Sequence, residues 1–268
     1  MSDDQADSSP VQSVDRAIEI LELLAARGEL GITELAAELG VHKSTSFRLA
    51  SALERRGLVE QSRGRGGYRL GFGLLRLAGA MSGQLELTQQ ARPVSLRLAD
   101  QLGETVNIAV LDRGAAVNID QVLGRGSLTT HNWVGQRTPL HATSSGKVLL
   151  AYLPASELDS LLAQGLETQT RYTIVDPDLL VRELLAARRH GFAATVEELE
   201  LGLNAVAAPI RGPGGRVIAA ISVSGPSSRL SAAQVRASGA DEIPAAADAV
   251  RVAAAEISTL MGYVGYVG

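Results

Sequence analysis

With 268 residues, 46% of them hydrophobic, the chain can bury a sizeable core and is long enough for two domains. It has no cysteine, and its histidines (42, 131, 141 and 190) show no close metal-ligand spacing, which excludes disulfides and thiolate metal sites and leaves no cofactor expected. The net charge of −4 gives no global pull toward nucleic acid, while the lack of an apolar run of ~20 residues and of a basic N-terminal region excludes a membrane partner and predicts a cytoplasmic location.

Residues 1–12 are polar and read as a disordered tail. Ser13 is placed to cap a helix with Ala17, Ile18, Leu21 and Leu24 on one face, ending near Gly28. Thr33 is placed to cap a second helix with Leu35, Ala36 and Leu39 as its apolar stripe. Gly40 marks a turn, and a third helix is predicted from about Lys43 to Arg56, with Phe47, Leu49, Ala50 and Leu53 available for the core. The polar start of that helix, His42, Lys43, Ser44, Thr45, Ser46 and Arg48, offers hydrogen-bonding groups and positive charge suited to phosphates and base edges. It also opens a local basic island. From Lys43 to Arg76 there are eight Lys or Arg (43, 48, 55, 56, 63, 65, 69, 76) against Glu54 and Glu60, whereas residues 1–42 carry two Arg against nine Asp or Glu. A solvated charged face is the bland alternative. Strand-like Leu58-Val59-Glu60 and Tyr68-Arg69-Leu70 flank a Gly/Arg segment, so three helices and a hairpin make the parts of a winged helix-turn-helix. Arg63 and Arg65 stand where a wing touches DNA backbone or minor groove.

Residues 74–102 read as a helical connector with Leu74, Leu75, Leu77, Leu87, Val94, Leu98 and Leu102 in apolar positions and a break or new start at Pro93. Two strands then surround the turn Asp112-Arg113-Gly114, and helices follow near Ser144, over 157–163 and over 179–190. Strands over 205–210 and 217–223 are joined by RGPGG, and an Ala-rich helical region runs from Ser231 to about Leu260. This mixture predicts an α+β sensor-like domain. In the last strand, alternation places Ala220, Ser222 and Ser224 on one face and Ala219, Ile221 and Val223 on the other; the small polar face suits either a ligand or solvent. Thr143, Ser144 and Ser145 stand where a helix begins, as an anion-binding N-terminus or an ordinary cap. His141 is expected to be a packing residue, Trp133 to pack with a place at the cavity mouth as its alternative, and Lys147 to face solvent or pair locally with attraction of a carboxylate as its alternative. The closing GYVGYVG repeat suggests no function.

The segments SVDRAIEIL, LGITELAAELGVHKSTSFRL, TPLHATSSGKVLLAYL, GFAATVEELELGLNAVAAPI and AAISVSGPSSRL, in this order, resemble the IclR family of bacterial transcription regulators over nearly the whole chain. The resemblance implies a winged helix-turn-helix over 13–73, a linker helix over 74–92, a GAF-like α/β effector-binding domain over 93–262 and a tail over 263–268. It also implies assembly as dimers or dimers of dimers. Its expected partners are double-stranded operator DNA and a small-molecule effector, with small organic acids among the candidates. Regulation of transcription follows, with repression expected ahead of activation. By position, the family's effector pocket falls on Ser144, Ser145, Gly146, Thr195, Leu203, Ala205, Ser222 and Ser224. Some members that bind organic acids have an acidic residue at the position of Thr195 and a cysteine at that of Ala205.

Two other function classes are compatible with parts of the chain. Ser144-Ser145-Gly146-Lys147 satisfies the S-x-x-K pattern of serine hydrolases, but Lys43 and Lys147 are the only lysines, so no KTG element exists, and SDN is absent. A P-loop fails because His141 occupies the first glycine position and Val148 the Ser/Thr position. The third class is a winged-helix module for protein contacts without ligand sensing.

Overall fold

The computed structural model describes residues 12–62, 66–79, 82–126, 132–236 and 244–265, divided into two compact units, Met1–Ser82 and Gly83–Gly268. Most of the expected N-terminal tail and both wing arginines, Arg63 and Arg65, lie outside the described residues.

In the first unit, α1 (Gln12–Arg27) includes Ser13 in its first turn rather than using it as the cap. Its inward stripe is Ala17, Ile20, Leu21 and Leu24, the spacing of a single helix face, and Ile18 is 49% exposed instead. A short strand β1 (Glu29–Gly31) follows, too brief to show alternation in the sequence. α2 (Ile32–Glu38) is capped at Gly31, whose N–H donates to Glu34 Oε2 at 2.7 Å; Thr33 is exposed in the first turn and caps nothing. Gly40 takes φ +61, a left-handed conformation that turns the chain into α3 (Lys43–Arg55). β2 (Val59–Gln61) and β3 (Gly67–Leu70) pair antiparallel with Val59 opposite Leu70, and β1 adds to the other side of β3. Ile20, Leu24, Leu35, Ala50, Leu53, Val59 and Tyr68 close the core. α4 (Gly73–Gly79) has no buried residue, and Leu75 and Leu77 are exposed, contrary to their expected apolar role.

In the second unit, α5 (Ser82–Leu102) runs through Pro93 without the expected break. Ala91, Val94, Leu98 and Ala99 on both sides of the proline pack into one core, so tertiary burial continues the helix past the missing N–H. Leu87 joins that core, within the compact unit Gly83–Gly268. A six-stranded antiparallel sheet follows, in the order β6-β5-β4-β9-β8-β7. β4 (Thr105–Asp112) and β5 (Ala115–Val122) are joined by Arg113 and Gly114, both at positive φ, the tight hairpin turn the sequence indicates. β6 (Arg137–Pro139) and β7 (Ala193–Val196) form the edges, while β8 (Leu203–Arg211) and β9 (Val217–Pro226) are longer than expected.

Alternation gives the sheet two different faces. Val106, Ile108, Val206, Ile210, Ile221 and Val223 pack against α5 and α10 (Ala245–Leu260). On the other face, Ala109, Ala193, Ala207 and Ala220 lie under α6 (Ser144–Ala151) and α8 (Pro177–His190). Alanines let these two helices sit close to the sheet. α7 (Ala155–Leu162) and the one-turn α9 (Ala232–Val235) complete the unit.

Candidate functional site

The surface of α3 sorts the expected nucleic-acid contacts. His42, Lys43, Ser44 and Arg48 are exposed and Thr45 is half-buried, while Lys43 and Arg48 form no ion pair among the described residues. Ser46 departs from expectation: it is 0% exposed, on the stripe Ser46, Ala50 and Leu53, and its Oγ has no hydrogen-bond partner. Phe47 departs in the opposite sense, at 55% exposure instead of in the core. The helical spacing held this signal, since 46, 50 and 53 share a face that 47 does not.

The second unit holds a cavity of about 440 Å³ over the end of the sheet that α6 leaves uncovered. Register brings its floor together: Thr105 pairs with Ser224, Asn107 with Ser222, Ala205 with Ser224, and Thr195 with Ala205. The same sheet face that is alanine under the helices therefore becomes hydroxyl and amide where the helices stop. Ser144 and Ser145 open α6 at the cavity wall, after the cap Thr143, whose Oγ1 accepts from Gly146 N–H at 3.2 Å. Seven of the eight positions carried over from the resemblance line this cavity: Ser144, Ser145, Thr195, Leu203, Ala205, Ser222 and Ser224.

Gly146 does not line it. A Cβ there would sit 2.3 Å from the Leu140 carbonyl oxygen and 2.6 Å from Thr143 Oγ1, so glycine serves close packing of α6 on the preceding chain. Sequence reasoning missed Asn107, Asn118, Thr138, Glu104 and Arg229, which also line the cavity. Asn107 is buried, its Nδ2 donates to Ser224 Oγ at 3.5 Å, and its Oδ1 has no partner. Glu104 is 4% exposed and receives both arms of Arg229, Nε to Oε1 at 2.6 Å and Nη2 to Oε2 at 2.9 Å. The alternating strand around Asn107 was the available signal, but only pairing with β9 aligns it with the serines.

Two other side chains differ from expectation. Trp133 lines the cavity rather than serving only packing, whereas His141 is packed, with Nε2 2.8 Å from the Glu167 carbonyl. Lys147 neither faces solvent nor pairs locally. It is 1% exposed, and its Nζ donates to Glu198 Oε1 at 2.9 Å, with Glu183 at 3.6 Å. Burial pushes the Glu198 carboxyl up, against the opposing pull of Lys147 and Arg236. A lysine committed to a buried carboxylate is not disposed to act as a base on Ser144. Among the described residues no group of three or more His, Asp or Glu could hold a metal, and no helix is long and apolar enough to cross a membrane.

Comparison with known proteins agrees with this division. The family described as the IclR helix-turn-helix domain matches residues 13–63, and that described as bacterial transcriptional regulator IclR C-terminal matches residues 80–255. The chain is 35% identical to the HTH-type transcriptional regulator XynR of Escherichia coli over 228 residues, 84% of this chain and 90% of that one. It is also 35% identical over 253 residues to the E. coli HTH-type transcriptional repressor AllR, covering 94% and 90%. Among solved structures, IclR of Thermotoga maritima matches with a TM-score of 0.74 at 28% identity, covering 94% of this chain and 99% of that one. An IclR homolog from Microbacterium hydrocarbonoxydans, complexed with 4-hydroxybenzoate, matches with a TM-score of 0.75 at 27% identity, covering 93% and 99%. A winged helix-turn-helix followed by an α/β ligand domain, with both family matches in register, makes this chain a member of the IclR family of bacterial transcriptional regulators.

Proposed function

We propose that the chain represses transcription by binding operator DNA through α3, and that a small organic acid held in the cavity of the second unit sets its affinity for that DNA. The observation that carries this reading is the coexistence of an exposed, unpaired Lys43–Arg48 face and a preformed polar cavity in one chain. α3 enters the major groove, where Lys43, Ser44 and Thr45 contact the duplex and Arg48 reads guanine through two hydrogen bonds. His42 and Thr33 contact phosphate, and Arg63 and Arg65 hold the wing on the adjacent backbone. Ser46, being buried, takes no part. A dimer reads two half-sites roughly 34 Å or a multiple apart. The repressor sense is supported by the relative AllR, itself a repressor.

The carboxylate of the effector meets the first turn of α6, where Ser144 and Ser145 offer hydroxyls beside backbone N–H groups. Ser222, Ser224 and Thr195 bond its polar body, and the open Oδ1 of Asn107 accepts from a hydroxyl. The homolog complexed with 4-hydroxybenzoate supports an acid carrying a hydroxyl. No catalytic step is assigned, since the Ser144-to-Lys147 pattern is occupied by the Lys147–Glu198 ion pair. A differential affinity of about 1–3 kcal/mol between states changes operator occupancy about 5–150-fold.

Fluorescence anisotropy on the DNA upstream of the protein's own gene, against scrambled DNA at two salt concentrations, tests the reading. Tight binding to the native sequence alone is expected. Replacing Arg63 and Arg65 with Ala should flatten the salt slope by about one unit per lost phosphate contact. Absence of binding to any duplex at either salt would instead favour a protein-contact module.

A further inference from the structure

At the opposite end of β8 from the effector cavity lies a second concavity of about 560 Å³. Arg211 closes β8, Arg188 and Arg189 close α8, and Arg251 projects from α10, so four guanidiniums line one groove with His190 beside them. Asp248 is the single acidic residue among the described residues of the lining. In a chain of net charge −4, this is a local concentration of like charge that Asp248 and nearby backbone carbonyls offset only in part, and it favours an anion.

Two of the cations are held in place before any ligand arrives. The Tyr152 ring lies between them, 4.7 Å from the Arg211 guanidinium and 6.0 Å from that of Arg188. Arg188 Nε donates to the Ala151 carbonyl, and Arg211 Nη1 donates to the Gly215 carbonyl at 2.9 Å. Each guanidinium is therefore fixed along one edge, which leaves donors on its other edge for a charged oxygen. Arg251 Nη1 makes a long ion pair with Asp248 Oδ1 at 3.8 Å, outside hydrogen-bond range, and Arg189 forms no ion pair among the described residues. The start of the closing GYVGYVG segment walls the groove: Tyr263 N–H donates to the Ser258 carbonyl at 2.9 Å, and its ring borders the basic residues.

The geometry points to a second ligand site on this unit, for a small molecule bearing two or more phosphates. Paired, pre-oriented guanidiniums match phosphate oxygens through parallel hydrogen bonds. The groove is concave, which suits a compact di- or triphosphate better than the convex rows of phosphates on a duplex. This site shares no lining residue with the effector cavity, so the two ligands bind independently of each other's contacts.

Isothermal titration of the full chain with inorganic pyrophosphate, ATP, adenosine and citrate tests the assignment. Pyrophosphate and ATP should bind and adenosine should not. Arg189→Glu combined with Arg251→Glu, the first exposed, the second half-buried and both outside the tied pair, should weaken binding at least about tenfold, with an unchanged circular dichroism melt. Arg48→Ala, on α3, should bind as the parent does. ATP binding more tightly than pyrophosphate assigns a nucleotide with Tyr263 beneath its base, and equal affinity assigns the phosphates alone; both support the site. The proposal is overturned by no heat with pyrophosphate or ATP, by citrate matching them, by unchanged affinity in the double variant, or by loss of binding in Arg48→Ala.

Discussion

Gly146→Ala should unseat α6 and with it the wall of the effector cavity. The added Cβ would lie 2.3 Å from the Leu140 carbonyl oxygen, 2.5 Å from Leu140 Cα and 2.6 Å from Thr143 Oγ1. Ordinary contact needs roughly another ångström, and two of these three neighbours are backbone. Overpacking of this kind costs about 1–3 kcal/mol. Displacing Thr143 also breaks its cap on the Gly146 N–H, worth about 1 kcal/mol. Alanine's better helix propensity returns up to about 1 kcal/mol. The net expectation is a loss of about 1–3 kcal/mol, read by urea unfolding. Trp133, the only tryptophan, lies in this unit and supplies the signal. Gly83→Ala is the control, because Gly83 is helical in α5, has nothing within 4 Å of a built Cβ, and should be neutral or gain up to about 1 kcal/mol. Equal effects of the two substitutions would refute the close-packing role of Gly146.

Ser46→Ala should raise the stability of the first unit by about 1 kcal/mol, since it removes a buried hydroxyl with no partner; a loss in chemical unfolding would show that the hydroxyl is satisfied. Phe47→Ala should change stability by less than about 0.5 kcal/mol in urea unfolding, because the ring is on the surface rather than in the core; a loss of several kcal/mol would put the ring in the core. Ser222→Leu should fill the effector cavity and abolish the response to effector without altering DNA binding; a normal response would place the pocket elsewhere. Burial pushes the Tyr68 phenol above its ordinary value of 10.0, so its contribution to stability is complete below that pH and is lost as pH rises through the higher folded value. Tyr68→Phe should flatten that alkaline decline, and an identical alkaline melting profile would remove the assignment.

The elements with strong periodicity were legible in the sequence: the three helices and hairpin of the first unit, the β4–β5 turn, and the alternation that sends Ser222 and Ser224 to one face. What local pattern did not hold was set by distant partners. Lys147 reads as a surface residue until Glu198, 51 positions away, comes within 2.9 Å. Asn107 becomes a cavity residue only because β4 pairs with β9, which sets it opposite Ser222. Pro93 marks a break by its chemistry, but Ala91 and Val94 both reach the same core, and their burial outweighs one absent hydrogen bond. Ser46 and Phe47 differ for another reason: residue type points the serine outward and the phenylalanine inward, whereas helical phase, on the stripe through Ala50 and Leu53, places the serine inside.

The cavity and its regulation follow from one structural economy. On β4, β7 and β9 the same face changes from alanine to asparagine, threonine and serine at the point where α6 begins, while β8 continues it with Ala205 and Leu203, so the helix that shapes the core also supplies the cavity wall. A ligand filling that space stabilises the second unit by mass action whether or not it alters DNA binding. Only a difference in its affinity between DNA-competent and DNA-incompetent arrangements changes operator occupancy. Thermal stabilisation and operator release are therefore separate quantities, and a compound that raises the melting temperature without releasing DNA occupies the cavity without being the effector. Ser222→Leu separates them from the protein's side, because it should remove both responses for a true effector while leaving operator affinity intact.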